Sequence, residues 1–278
     1  MMPVVRSGSR VLILLLGLTL LGGCGGPAAR FSERASALGF EASQVEGEGF
    51  THVVFRPARP RPDGGRLLHV YLDGDGTPWE RGGPAADPTP REPLVLRLMA
   101  LDPAPSVYLG RPCYHGLAAA PGCTPVLWTD ARYSDVVVAS MAAAVRRLLS
   151  MTGRSEIVWL GYSGGGTLAM LLAERLPETT GVITVAANLD VEGWADLHGR
   201  SRLAGSLSPA RRPPLPPRIR QRHYAGGRDV VVPPSIIVGA GILPESLTVI
   251  PEYDHVCCWV ELWPRVLGEA TWAAAGPR

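Results

Sequence analysis

The sequence contains no lysine, and its charges nearly cancel. All 27 basic residues of the 278-residue chain are arginines, and 25 acidic residues reduce the net charge to +2. The arginines are scattered rather than clustered, which argues against a nucleic-acid-binding surface. No internal repeat is apparent, and a chain of this length with 46% hydrophobic residues can hold one sizeable α/β domain. We therefore expect a single domain with no nucleic-acid partner.

The apolar run at the N-terminus, residues 11–21, is too short to span a membrane comfortably as a helix. Arg6 and Arg10 precede it, and it ends in Leu21-Gly22-Gly23-Cys24. A basic start, an apolar middle and a small-residue end indicate a targeting segment. The ending resembles the lipobox of bacterial lipoproteins, which implies cleavage before Cys24 and acylation of that cysteine. An ordinary secretory signal is the alternative.

Lipidation would place the mature protein at a membrane. Acyl chains contribute ~0.8 kcal/mol per buried CH₂ group, so two or three chains on Cys24 anchor a protein stably. Gly25, rather than aspartate, follows the cysteine, and analogy with enteric bacteria then favours the outer membrane, facing the periplasm. We expect residues 1–23 to be a signal peptide and residues 24–49 to be an N-terminal tether.

The most informative stretch is the apolar, β-rich run 155–160 together with the glycine-rich turn after it. The run stops at Gly161, and a helical pattern starts after Ser163, so Gly-x-Ser-x-Gly occupies a sharp strand-to-helix turn. Small neighbours allow the helix to pack close to the strand, and its free N–H groups favour negative charge near Ser163. This turn resembles the nucleophile elbow of the α/β-hydrolase superfamily of serine hydrolases. A glycine-rich connection that merely packs tightly is the alternative.

The resemblance implies an α/β-hydrolase fold over residues 50–278, with a mostly parallel central sheet flanked by helices on both faces. It also implies that an acid and then a histidine follow Ser163. Asp229 lies just past a β-rich run and before Pro233, and His255 follows the last predicted strand, 247–250. Asp190, which closes another β-rich run, is the competing acid. We expect residues 190–218 to be an insertion that covers the site. Trp194 is either a wall of the pocket or an ordinary packed tryptophan.

A second loop of the site is Asp73-Gly74-Asp75-Gly76, which follows the run 67–72. By the resemblance, the backbone N–H of Asp75, or that of Gly74, completes an oxyanion hole with the N–H of Gly164. The same stretch also resembles motif I of haloacid-dehalogenase-like phosphatases, with Asp73 as nucleophile, Asp75 as acid/base and Mg²⁺ as cofactor. That family requires a lysine and a downstream acidic pair. The chain has no lysine and no clear acidic pair at the end of a strand.

The cysteines divide into two groups besides Cys24. Cys113 and Cys123 lie ten apart in an exported chain, which favours a disulfide. A metal site with His115 lacks a second histidine at ligand spacing. The adjacent pair at 257–258 could form a vicinal disulfide, but a buried thiol packed under the terminal helix is the preferred interpretation.

Together these motifs predict a serine hydrolase that acts on carboxylic esters or amides. Ser163, His255 and Asp229 are the expected triad, and neither a metal nor an organic cofactor is implied. The expected partners are a small-molecule or acyl substrate and, through Cys24, a membrane. A lipoprotein that keeps the scaffold and binds without turnover is the remaining alternative.

Overall fold

The structure, a computed structural model, describes residues 25–59, 61 and 65–270. The predicted signal peptide and Cys24 lie outside these residues. Seven helices are described: α1 (Pro27–Ala37), α2 (Leu94–Ala100), α3 (Asp135–Thr152), α4 (Gly164–Arg175), α5 (Val191–Leu197), α6 (Pro234–Gly239) and α7 (Trp259–Ala270). No helix among the described residues is long and apolar enough to cross a membrane.

Ten strands alternate with these helices. They are β1 (Phe40–Glu46), β2 (Thr51–Pro57), β3 (Leu67–Leu72), β4 (Trp79–Glu80), β5 (Gly83–Pro84), β6 (Ser106–Leu109), β7 (Glu156–Tyr162), β8 (Thr179–Val185), β9 (Arg220–Gly226) and β10 (Leu247–Ile250). Eight of them form one sheet in the order β1-β2-β6-β3-β7-β8-β9-β10, and β4 pairs with β5 separately. Pairing is antiparallel from β1 to β6 and parallel from β6 to β10.

The central strands are buried on both faces, which is why they form continuous apolar runs in the sequence. In β3, Leu68 and Val70 point to the face covered by α3 and α4, where Met141 and Leu168 pack. Tyr71 points to the opposite face, where residues of α1, α2 and α7 pack. The sheet is therefore a layer between two sets of helices, and its parallel strands end at one common edge.

Residues 25–49, which lie within the predicted N-terminal tether, pack against the rest of the chain. Phe31 of α1 is buried against the ring of Phe55, and β1 pairs with β2 over seven residue pairs. Both α1 and β1 are thus packed onto the central sheet. Because β1 lies at the sheet edge, only Phe40 and Val45 of its seven residues are buried. An edge strand of this kind lacks the alternating pattern that identifies strands in a sequence.

The four described cysteines form two disulfides. Cys113 and Cys123 close a loop between β6 and α3. Cys257 and Cys258 are joined to each other at the start of α7. Cys257 is exposed and Cys258 half-buried, so the expected buried thiol is wrong. The terminal helix is packed by Trp259 and Trp263 instead.

Candidate active site

Ser163 lies in the sharp turn between β7 and α4. Its backbone has φ 52° and ψ −123°, a region that a residue with a side chain rarely adopts. A Cβ on Gly161 would come within 2.7 Å of the Cα of Gly166, so the helix approaches the strand as closely as backbone allows. The strained turn presents Ser163 at the carboxyl edge of the sheet, at the N-terminus of α4.

Three side chains predicted from the sequence meet at this point. His255 Nε2 lies 3.1 Å from Ser163 Oγ, and His255 Nδ1 lies 2.8 Å from Asp229 Oδ2. The ring of Tyr162 packs beside that of His255, with 5.2 Å between centroids. The backbone oxygen of His255 accepts a hydrogen bond from Trp259 Nε1, which ties the histidine loop to α7.

Of the two candidate acids, Asp229 is the one hydrogen-bonded to the His255 ring. Its side chain is fully buried, and its Oδ1 accepts hydrogen bonds from the backbone N–H groups of Val231 and Val232, at 2.8 and 2.7 Å. Asp190 instead caps α5 by accepting the N–H of Gly193. The Asp254 carboxylate accepts N–H groups of its own loop.

The backbone N–H groups expected to form the oxyanion hole are not all free of other hydrogen bonds. The N–H of Gly74 donates to Asp73 Oδ1 at 2.8 Å, so the structure removes Gly74 as a donor to substrate. Within residues 25–59, 61 and 65–270, the N–H groups of Asp75 and Gly164 donate to no acceptor. A Cβ on Gly74 would touch Ser163 Cβ at 3.4 Å, which brings this loop directly over the nucleophile.

The side chains of the same loop do not suit a phosphatase. Asp75 forms ion pairs with Arg111 and Arg132 and accepts hydrogen bonds from Tyr133. Burial would raise the pKa of Asp75, but the two guanidinium charges and the Tyr133 hydroxyl outweigh it and lower the pKa to about 2. A carboxylate held in this way cannot serve as a general acid near neutral pH.

For the Asp73 carboxylate, burial is the dominant influence on the pKa. Burial raises its pKa to about 7, partly opposed by the Gly74 N–H and the charge of Arg111. No group of three or more His, Cys, Asp or Glu side chains among the described residues is placed to hold a metal ion. These observations do not favour the phosphatase alternative.

A cavity of about 790 Å³ opens over Ser163 and His255. Trp194 lines it and donates its Nε1 hydrogen to the backbone oxygen of Val231, 2.8 Å away. This hydrogen bond ties the predicted insertion, residues 190–218, to the loop that follows Asp229. His198 contacts the same oxygen and does not line the cavity, while His223 is buried against Thr184. The predicted pocket wall at Trp194 thus lies in the cavity, and the other two histidines lie away from Ser163.

Several residues of the site could not be found from the sequence. Arg111, Arg132 and Tyr133 surround Asp75, but no short motif marks a buried arginine among 27 scattered ones. Asn188 lines the cavity with its Oδ1 buried and without a partner among the described residues, and its backbone N–H donates to Ser163 O. Only its position just after a buried strand could have drawn attention to it.

No protein-family model matches the chain, and no curated protein matches it. Solved structures do match it. An α/β serine hydrolase without lid from Xanthomonas campestris is similar with a TM-score of 0.52 and 14% identity, over 86% of this chain and 97% of that one. An esterase from Pyrococcus furiosus is similar with a TM-score of 0.55 and 13% identity, over 85% and 92% of the two chains.

A third similar structure is a proline iminopeptidase-related protein from Thermus thermophilus, with a TM-score of 0.56 and 16% identity over 84% of this chain and 98% of that one. At such identities the likeness concerns the fold. It agrees with the mostly parallel eight-stranded sheet and the helices on both faces. The chain has the α/β-hydrolase fold.

Proposed function

We propose that the protein is a serine hydrolase that cleaves carboxylic esters, and more slowly amides, through an acyl-enzyme intermediate. The observation that carries the proposal is the continuous hydrogen-bonded series Asp229–His255–Ser163 at the carboxyl edge of the sheet. Asp229 accepts two backbone N–H groups with one oxygen and faces His255 with the other. It therefore holds the ring with Nδ1 protonated and Nε2 free to accept the Ser163 proton.

The reaction follows from this geometry. His255 Nε2 takes the proton of Ser163 as Oγ bonds to the substrate carbonyl carbon, and the carbonyl oxygen becomes an oxyanion. The free N–H groups of Gly164 and Asp75 are its donors. The imidazolium then gives its proton to the leaving alkoxide as the carbon–oxygen bond breaks. In the second half, His255 takes a proton from water, hydroxide attacks the acyl carbon and Ser163 is released protonated.

Esters are the preferred substrate class because their leaving group is the easier one to expel. Amides would use the same residues, and the similar structures include both an esterase and a peptidase-related protein. The cavity combines apolar surface from Trp194, Val231 and Leu203 with charged side chains such as Arg91 and Glu92. This lining suits a small acyl group with a polar leaving part.

We also propose that the protein is lipid-anchored at Cys24 in the cell envelope, in the outer membrane facing the periplasm. The proposal rests on the lipobox-like sequence. The Cys113–Cys123 disulfide is consistent with an oxidising compartment. Palmitate labelling of the full chain tests it: incorporation is expected for the wild type and not for Cys24→Ser. Equal incorporation into both would contradict it.

The catalytic proposal is tested with a fluorophosphonate on the soluble chain that starts after Cys24. We expect one adduct per molecule, located on Ser163 by peptide mass spectrometry and absent in Ser163→Ala. His255→Ala should slow the adduct by several orders of magnitude, since the serine then lacks its base. A folded wild type that remains unlabelled would contradict the proposal and favour a binding protein on this scaffold.

A further inference from the structure

A buried cluster of charges lies directly beside the oxyanion site. The Asp75 carboxylate forms ion pairs with Arg111 Nη1 at 2.9 Å and Arg132 Nη1 at 2.8 Å. The Tyr133 hydroxyl donates to the same carboxylate, 2.6 Å from Oδ1. Both arginine side chains are only 6% exposed. Burying two guanidinium groups is costly, so their presence here calls for a role beyond surface charge.

The cluster also holds the backbone of the oxyanion loop, residues 73–76. Tyr114 donates its hydroxyl to the backbone oxygen of Asp75 at 2.9 Å, and Arg111 Nη2 donates to the backbone oxygen of Asp73 at 3.2 Å. Asp73 O belongs to the peptide unit before Gly74 and Asp75 O to the unit after Asp75, so the unit between them, which carries the Asp75 N–H, is held at both ends. The carboxylate of Asp75 is fixed as well. These contacts fix the direction in which the free Asp75 N–H points.

The position of the carboxylate poses an electrostatic problem. A methyl group on Gly164 would overlap both Asp75 Oδ1 and the Tyr133 hydroxyl, so the carboxylate lies against the residue that donates to the oxyanion. The negative charges of the Asp75 carboxylate and of the oxyanion would repel each other more strongly at this buried site than in water. Left uncompensated, Asp75 would oppose the transition state that its own backbone N–H stabilises.

We infer that Arg111, Arg132 and Tyr133 form a clamp on Asp75 that positions the oxyanion-hole N–H and neutralises the carboxylate beside it. The inference rests on the proposed function. The three residues are positioning residues, because they act through the Asp75 backbone and need not touch substrate. One guanidinium charge offsets the carboxylate, and the second makes the cluster net positive toward the developing oxyanion.

The clamp is tested with Arg132→Gln, and Arg212→Gln is the matched control. Arg212 also pairs with a carboxylate, that of Glu174, but on the outer surface away from the cavity. Rates are expressed per active site titrated with the fluorophosphonate, so unfolded molecules do not count. We expect Arg132→Gln to lower kcat for p-nitrophenyl butyrate about 100-fold with little change in KM, because misplacement of this kind can cost ~10²-fold.

Two further readouts separate the clamp from a merely structural role. The affinity for a trifluoromethyl ketone, which forms an oxyanion on Ser163, should fall by the same factor as kcat. In the background of Asp75→Asn, where no carboxylate remains to be neutralised, Arg132→Gln should cost about tenfold or less, as coupled neighbours are non-additive. Arg132→Lys keeps the charge without the planar group and should recover part of kcat.

The outcomes distinguish this inference from the proposed function. A wild type that the fluorophosphonate does not label contradicts both. A labelled wild type whose Arg132→Gln variant keeps kcat per active site, or loses trifluoromethyl ketone affinity and substrate affinity equally, contradicts the clamp alone. If Arg132→Gln does not fold, Tyr133→Phe removes only one hydroxyl. It should lower kcat by about fivefold to tenfold with KM unchanged, and an unchanged kcat would overturn the clamp.

Discussion

The two loops that meet at Ser163 are held in opposite ways. The oxyanion loop, residues 73–76, is fixed by buried side chains from another part of the chain, including Arg111 and Arg132. The histidine loop, residues 251–258, has its residues exposed or half-exposed, and its carboxylate at Asp254 caps its own backbone. The ring of His255 is oriented from outside the loop by the buried carboxylate of Asp229.

Under the proposed mechanism, this difference matches the role of each loop. An oxyanion hole stabilises charge best when its donors do not have to reorganise, and a buried ionic cluster supplies that rigidity. The imidazole must accept a proton from one oxygen and deliver it to another, so it needs correct orientation more than immobility. We therefore expect substitutions to impair catalysis through different routes in the two loops.

The largest effect is expected at the carboxylate that orients the His255 ring. Asp229→Asn removes the charge that orients and stabilises the imidazolium, and kcat for p-nitrophenyl butyrate should fall about 10⁴-fold. Asp190→Asn is the matched control, because asparagine also caps helices well and α5 lies outside the series of hydrogen bonds. Equal losses in the two variants would show that the acid has been misassigned.

The two disulfides should contribute differently to stability. Cys113–Cys123 closes a loop of ten residues, whereas Cys257–Cys258 joins neighbours and constrains the unfolded chain very little. Replacing the first pair by serine should lower the free energy of unfolding by about 2–3 kcal/mol, and replacing the second should change it by less than about 1 kcal/mol. Urea denaturation monitored by tryptophan fluorescence measures both. A larger loss from the 257–258 pair would contradict the comparison.

The smallest expected effect is the pH dependence of stability that arises from buried titratable side chains. Burial lowers the pKa of His52 and His223 to about 4 and that of His115 to about 3, whereas burial raises the pKa of Asp73 to about 7. Below pH ~6.5 the three histidines bind protons in the unfolded chain but not in the folded one, so acidification destabilises the protein. The raised pKa of Asp73 makes acidification stabilise the folded protein, but only this one group has that effect, whereas three histidines have the opposite one.

The melting temperature should therefore fall as the pH is lowered from ~7 to ~5. His115 packs against Tyr108, which contacts Asp73, and it has a positive φ of 58° that asparagine tolerates. In His115→Asn the overall melting temperature will be lower, but its dependence on pH should be shallower. A slope identical to that of the wild type would contradict the assignment of a neutral, buried imidazole at this position.

Local chemistry in the sequence is enough to predict the turn and the order of the site residues. Gly-x-Ser-x-Gly between a β-rich run and a helical run predicts the turn at Ser163, because few backbone conformations join them. Asp229 and His255 are identified by their order after predicted strands, and the structure brings both to Ser163. Each of these predictions depends on residues that are neighbours in the chain.

The rest depends on contacts between distant residues, which leave no local pattern. Arg111 and Arg132 are separated from Asp75 by 36 and 57 positions, and nothing beside them in the sequence shows that they are buried. The sequence does not reveal β1 because only two of its residues face the core. Gly74 is a plausible donor by sequence, but its N–H is used by Asp73, which only the side-chain geometry reveals.

The most direct test of the proposed mechanism is to trap the covalent intermediate during turnover. The wild type is mixed with p-nitrophenyl butyrate, quenched in acid within the first turnovers and analysed as intact protein and as peptides by mass spectrometry. We predict a population carrying one butyryl group on Ser163, absent in Ser163→Ala and long-lived in Asp229→Asn. Turnover without a butyryl group on Ser163, or with the group on another residue, would contradict the mechanism.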